Sequence, residues 1–277
     1  MRTLLVGGYG SVGRTIAQEL TTAADGPSRL EIAGRDGAKA SAFAADLADD
    51  VSGVAFDIRE TSSYAQVLKG VDQTVVCLDQ SGTAFVEACL ERGIDYVDVA
   101  ASDEFFRQVE EFDGIARATG ATAMLSVGLA PGVTNLLAKR AVDQLSAVSA
   151  VRIGILLGLG EAFGPAASRW TLERIGREFQ TGEEHSVRGF SDPRPMKFPF
   201  YGRRTTYKFD FADQHVLRRT LDIPSATTRL CFDSRVITSA VYQLSQRGLY
   251  RPIAATVGID PTFSTCYGFV SHFSESA

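Results

Sequence analysis

The sequence predicts an α/β protein, with a doubly wound parallel sheet in the first half and an α+β domain with a mostly antiparallel sheet in the second. Three observations carry this prediction. Six short apolar runs alternate with helical patterns between Thr3 and Val127, and strands separated by helices pair in parallel through right-handed crossovers. These runs are mostly apolar throughout, as strands buried on both faces should be. Beyond a Gly/Pro loop at 128–132 the pattern changes to strand-like runs of a different kind, one of them alternating, which suits antiparallel pairing with flanking helices.

Each element follows in order. Thr3–Val6 is a strand that ends in glycines, and Val12–Leu20 is a helix with Val12, Ile16, Ala17 and Leu20 at helical spacing. Asp25-Gly26-Pro27 breaks the chain before the strand at 30–33. Lys39–Ala48 is an alanine-rich helix, Val54–Ile58 a strand, Ser63–Leu68 a short helix and Gln73–Leu78 a fourth strand. A helix over Gly82–Arg92 closes at Gly93, a strand covers Tyr96–Ala100, a helix over Glu104–Thr119 closes at Gly120, and Ala121–Val127 is the sixth strand. The second half gives a helix over Val133–Leu145, a strand over Val151–Leu157 and a helix over Ala166–Ile175. The stretch 176–204 is rich in Gly, Pro and charge, with a strand-like piece at His185–Arg188. An alternating strand over Thr205–Phe211, a short helix over Asp213–Thr220, a strand over Thr228–Asp233 and a helix over Ile237–Gln246 complete the pattern. The expected domains are 1–130 and 131–250, with 251–277 a C-terminal segment assigned to neither.

The 277 residues carry 33 acidic and 28 basic side chains for a net charge of −5, which argues against a nucleic-acid binder. The apolar run at the N-terminus stops at glycine after a few residues, and no other stretch approaches a spanning length, so neither a signal peptide nor a membrane span is expected. Cys77, Cys89, Cys231 and Cys266 show no zinc spacing. The expectation is a cytoplasmic protein with reduced thiols.

The first strand leads into Gly7-Gly8-Tyr9-Gly10-Ser11-Val12-Gly13-Arg14, a G-x-G-x-x-G at Gly8, Gly10 and Gly13. In a Rossmann-type βαβ unit the first of these glycines permits a tight turn. The second lets backbone approach a pyrophosphate, and the third lets the helix pack on the strand. The phosphates would lie at the helix N-terminus, over the N–H groups of Tyr9, Ser11 and Val12. At the end of the second strand an NAD site places an acid on the ribose 2′-hydroxyl. Here the sequence is Gly34-Arg35-Asp36. A neutral Gly34 and an arginine able to pair with a 2′-phosphate favour NADP, while a shift of one residue would make Asp36 a ribose ligand. Asp57 ends the third strand, either near an adenine amino group or as a loop-entry turn residue. Leu78, Asp79 and Gln80 end the fourth and are placed to line a ligand cleft.

These motifs, with Tyr-Val-Asp-Val-Ala at 96–100 and Val-Gly-Leu-Ala-Pro-Gly-Val-Thr-Asn-Leu-Leu-Ala at 127–138, resemble the saccharopine dehydrogenase-like superfamily. The resemblance implies an NADP-binding domain followed by a mixed α/β domain. It implies NADP(H)-linked chemistry, often at a C–N bond of an amino acid or polyamine derivative, and a homodimer through the second domain. The chain departs from the family at Cys-Leu-Asp-Gln-Ser-Gly after the fourth strand, and a late return of the chain to the first domain is not evident after Tyr250.

Catalytic candidates are few. No zinc constellation is present, and no Tyr is followed four positions later by Lys. His185, His215 and His272 have no clear partner in sequence. Asp98, ending the fifth strand near the expected nicotinamide region, and Asp79 are the candidates for a proton relay or for binding a substrate amine, although both residue types also cap loops and helices. Arg169, Arg188 and Arg203 are candidates for a substrate carboxylate. The expected activity is an NADP(H)-dependent oxidoreductase acting on a C–N bond of a small amino-acid-like molecule. A non-catalytic NADP-binding sensor and an enoyl reductase acting on a C=C bond are the alternatives.

Overall fold

A computed structural model describes residues 1–48, 50–159, 165–180 and 186–250, with backbone alone for 165–168. His185, His272, Cys266 and the predicted segment 251–277 lie outside the described residues. The chain divides into two compact units after Val133.

In the first unit, β1 (Arg2–Val6), β2 (Arg29–Gly34), β3 (Val51–Ala55), β4 (Gln73–Val76), β5 (Asp95–Asp98) and β6 (Ala123–Met124) form one sheet in the order β3-β2-β1-β4-β5-β6. Every pairing is parallel. The chain builds outward from β1 to β3, then returns so that β4 pairs with the other side of β1. Val6 is therefore in register with Ala33 on one side and Val76 on the other. That reversal leaves a crevice beyond the carboxyl ends of β1 and β4, where ligands settle in such sheets.

Helices α1 (Ser11–Thr22) and α2 (Gly37–Ala45) cover part of the sheet. Ala17, Ala40, Phe43 and Ala44 pack there on Leu5, Leu30, Ile32 and Val75. Burying a Leu, Ile or Phe side chain contributes about 1.5–3 kcal/mol, and Leu4, Leu5 and Ile32 are fully buried. A second cluster stacks Phe56, Tyr64 of α3 (Tyr64–Val67) and Phe85 of α4 (Ala84–Leu90), with ring centroids 5.2–6.2 Å apart.

The helix predicted over Glu104–Thr119 is two helices, α5 (Asp103–Glu110) and α6 (Asp113–Thr119). Ser102 accepts the Phe105 N–H at the start of α5, and Phe112 donates its N–H to Val109 in a tightened last turn. The strand predicted over Ala121–Val127 pairs only at Ala123–Met124, on the sheet edge.

The second unit opens with α7 (Thr134–Val142) and β7 (Ala150–Leu157), followed by α8 (Pro165–Arg174) and a two-stranded antiparallel piece, β8 (Glu178–Gln180) with β9 (Ser186–Arg188). The hairpin β10 (Ser191–Phe198) and β11 (Gly202–Lys208), then α9 (Ala212–Leu221), β12 (Ser225–Phe232) and α10 (Arg235–Gln246) complete it. The four-stranded sheet runs β10-β11-β12-β7. Its first two pairings are antiparallel, as expected, and β12 pairs with β7 in parallel over eight residues. Leu217, Ile223, Ala226 and Ala138 form the core between α7, α9 and the sheet. Tyr207 stacks between Phe190 and Tyr242, each centroid 4.6 Å away.

Candidate functional site

The loop after β1 owes its shape to its glycines, with one reassignment. Gly7, not Gly8, takes the left-handed backbone, at φ +79. Its N–H donates to Ala33 O at 2.8 Å, tying the loop to β2. At Gly8 a Cβ would stand 3.0 Å from Ile32 and from Leu5 O, so Gly8 serves packing rather than the turn. A Cβ at Gly13 would lie 2.3 Å from Gly7 O, so α1 can approach the loop only with glycine there. At Gly10 a Cβ would meet just Gly7 O, at 3.1 Å, and would otherwise point into open space. Gly10 is also the N-cap of α1 and supplies no side-chain cap. Ser11 and Val12, in the first turn, are exposed. The arrangement leaves first-turn N–H groups and a side-chain-free cradle facing outward, which suits a phosphate.

Beside this cradle lies a cavity of about 740 Å³. The β1–α1 loop contributes Gly7, Tyr9 and Gly10, the end of β2 contributes Gly34 and Arg35, the segment after β3 contributes Phe56 to Arg59, and the β4–α4 loop contributes Cys77 to Gly82. Of the residues proposed from sequence, the structure brings Tyr9, Gly10, Gly34, Arg35, Asp57, Leu78 and Asp79 together on one wall or rim. Gly8, Ser11, Val12, Gly13, Asp36 and Asp98 do not line it.

Asp36 is occupied elsewhere. Its carboxylate caps α2 by accepting the Lys39 N–H at 3.1 Å and pairs with the Lys39 ammonium at 3.3 Å. Arg35, between Gly34 and this cap, is exposed at the rim. Asp57 grips Arg59, taking its Nε at 3.0 Å, its Nη2 at 2.5 Å and its backbone N–H at 3.0 Å. The Arg59 guanidinium holds the Asp57 carboxyl down at about 2, with a further contribution from Arg35. Arg59 had not been singled out in the sequence; its signal is its position two residues after Asp57, where an Asx turn brings the side chain back.

Asp98 lies away from this cavity. It is fully buried, and the Ser126 and Ala100 N–H groups donate to one of its oxygens at 2.8 and 3.1 Å. The Tyr96 hydroxyl donates to the other at 3.1 Å. Burial pushes the Asp98 carboxyl above the usual carboxylate range against those donors. Within this unit it pins the loops after β5 and β6. Gln80, on the cavity wall, donates to the Tyr96 hydroxyl at 2.5 Å. The β4–α4 loop, unusual in sequence, is therefore anchored to the Asp98 cluster. Asp79 beside it is exposed.

The cysteines, His215 and the arginines of the second unit have other surroundings. Burial pushes Cys77 and Cys89 up to about 12 and Cys231 to about 11, which keeps them as thiols. His215 does have a partner, Asp210, at 2.9 Å. Arg188 and Arg203 are exposed on the second unit. Among the described residues no group of three or more His, Cys, Asp or Glu could hold a metal ion, and no helix is long and apolar enough to cross a membrane.

A parallel sheet of order 3-2-1-4-5-6 with a glycine cradle at its switch point defines a dinucleotide-binding domain of Rossmann type. Residues 3–124 match the family model of the saccharopine dehydrogenase NADP binding domain, so the first unit is similar to the dinucleotide-binding domain of that family. A curated relative, carboxyaminopropylagmatine dehydrogenase of Synechocystis sp., is 27% identical over 226 residues, covering 75% of this chain and 56% of its own length. The solved apo saccharopine dehydrogenase (L-Glu forming) of Saccharomyces cerevisiae superposes with a TM-score of 0.60 at 17% identity, over 83% of this chain and 54% of that one; at that identity the match speaks for the fold alone. The chain thus spans about half the length of these two relatives. The cradle, the uncapped start of α1 and the cavity beside them fit a nicotinamide dinucleotide.

Proposed function

We propose that the protein is an NADP(H)-dependent oxidoreductase acting at a C–N bond of a small amino-acid-like substrate, by imine reduction or amine oxidation. The observation that carries the cofactor preference is the end of β2, where Gly34 offers no acid to a ribose hydroxyl and Arg35 stands exposed at the cavity rim. A 2′-phosphate there would gain a charge-assisted hydrogen bond, whereas a 2′-hydroxyl would find no carboxylate. The C–N chemistry is supported by the family and by the dehydrogenase relative.

When bound, the nicotinamide would exchange a hydride with the substrate. The protein's part is to position and to handle a proton. Gly10 and the first turn of α1 would hold the pyrophosphate, and Arg35 the 2′-phosphate. Leu78 and Phe56 give the cavity apolar wall. Asp79 is the carboxylate at the rim that a small molecule can reach, so it is the group we assign to hold a substrate ammonium or pass a proton. The same reading includes a cytoplasmic homodimer, which sedimentation velocity would report.

The test is the Arg35→Ala variant titrated with NADPH and with NADH. Loss of NADPH affinity by tenfold or more with NADH affinity unchanged is expected; equal loss for both would remove Arg35 from the assignment. The burial of Asp98 favours one other reading, an NADP-binding protein without turnover. It predicts tight NADPH binding and no oxidation of the cofactor with any imine, carbonyl or enoyl compound.

A further inference from the structure

We propose that Tyr9 is a specificity-determining residue of the dinucleotide site: its ring fills the place of the missing acid at the end of β2, and its hydroxyl positions Arg35. This rests on the NADP reading above and deepens it. Tyr9 stands between Gly8 and Gly10, where the glycine-loop motif itself tolerates any residue. In the fold its side chain crosses from the loop to the end of β2. A Cβ built on Gly34 would lie 2.4 Å from Tyr9 Cε1, 2.8 Å from Cζ and 2.9 Å from the hydroxyl oxygen. Those separations are far inside van der Waals contact, so no side chain can stand at position 34 while the Tyr9 ring is there. The position from which an aspartate or glutamate would reach a ribose 2′-hydroxyl is thereby closed by an aromatic ring supplied from another element.

The hydroxyl does the second task. It accepts the Asp36 backbone N–H at 3.1 Å. Asp36 in turn caps α2. Arg35 therefore sits between a residue covered by the Tyr9 ring and a residue whose N–H the Tyr9 hydroxyl holds. The Tyr9 end is itself fixed, because Arg14 Nε donates to Tyr9 O at 2.9 Å and the Arg14 guanidinium lies 4.3 Å from the Phe43 ring centroid. Tyr9 also lines the cavity. Cofactor choice is thus shared between the glycine loop and the β2–α2 turn, and a side chain placed at position 34 must displace the Tyr9 ring.

The test compares the dissociation constants of NADPH and NADH for five variants of the full chain, each with a thermal melt. Tyr9→Phe keeps the ring and loses only the hydroxyl; a roughly threefold to tenfold loss of NADPH affinity is expected, the weight of one hydrogen bond, with NADH affinity unmoved. Tyr9→Ala should lower the NADPH-to-NADH preference further. Gly34→Asp alone should bind neither dinucleotide well, because ring and carboxylate compete for one volume. Tyr9→Ala combined with Gly34→Asp should bind NADH better than either single variant does. Wild-type preference in Tyr9→Phe, or NADH binding by Gly34→Asp as tight as by the double variant, would overturn the proposal. Arg35→Ala separates the two readings: if it keeps the wild-type preference the NADP assignment fails, whereas if it loses the preference and the Tyr9 variants keep it, only the role of Tyr9 fails.

Discussion

Asp57 and Asp98 both stand at or just past a strand end in the first unit, and their surroundings drive them in opposite directions. Asp57 is held down at about 2 by Arg59, so its pairing stabilises the fold fully above the unfolded carboxylate value of about 3.9 and is lost as pH falls from there through about 2. Asp57→Asn should therefore lower the melting temperature at neutral pH and flatten the acid limb below about 4, so that the variant and wild-type curves converge in acid; an unchanged acid limb would show that the pair does not form in solution. Asp98 is pushed up by burial, so its ionisation works against the fold as pH rises above the unfolded value, and the three donors around it offset that cost. Asp98→Ala strands those donors and should cost roughly 2–5 kcal/mol in calorimetry or urea unfolding. Asp98→Asn, which retains an acceptor for both N–H groups, should cost less than half of that. A similar cost for both would mean that charge, and not donor satisfaction, is what Asp98 supplies. Both aspartates were visible in the sequence as strand-end acids, but their different surroundings were not. The donor from Ser126 lies 28 residues from Asp98, a distance over which sequence pattern carries no information about contact.

At the scale of elements, the parallel half was legible because each strand is a short apolar run set between a glycine or turn and a helix. β1, β2, β4 and β5 fall within about two residues of their predicted ends. β3 begins at Val51, three residues before the prediction, because its Ser52 and Gly53 break the apolar run. A Cβ at Gly53 would lie 2.2 Å from Ser41 N, so the glycine is there to admit α2. β10 was not foreseen as one strand. Pro193 and Pro195 demote it by propensity, and the fold tolerates them by placing β10 at the sheet edge with a register shift between Ser191 and Arg194. The parallel pairing of β12 with β7 was equally hidden, since partner choice between distant strands leaves no local pattern. The glycine loop gives the sharpest test at this scale. Gly13→Ala forces a Cβ against backbone 2.3 Å away and should destabilise the fold by at least about 1–3 kcal/mol, the range for overpacking. At Gly10 a Cβ would meet only Gly7 O, at 3.1 Å, so Gly10→Ala should melt closer to wild type than Gly13→Ala does, yet bind NADPH at least about tenfold more weakly because the methyl group enters the phosphate cradle. Paired melts and calorimetric titrations would check both. A Gly10→Ala protein that binds normally would show that the phosphates do not approach Gly10.

At the scale of the whole molecule, the site is a product of strand order. The β1–α1 loop, the ends of β2 and β3, and the β4–α4 loop converge because β4 returns to the far side of β1. That convergence was legible from six alternating strands and helices, and so were the cradle and Arg35. Tyr9 across Gly34 was not, because it is a side-chain contact between elements whose angle sequence does not specify; Arg59 beside Asp57 is a local contact two residues apart, and only the Asx turn that forms it was hidden. The substrate side is less developed in the sequence: one of its two carboxylates, Asp98, is buried and the other, Asp79, lies on an exposed rim. The cofactor comes first, and fluorescence titration of the purified chain with NADPH and NADH in parallel decides it. Saturable binding with a clear preference for NADPH is expected. A preference for NADH, or weak binding of both, would contradict it.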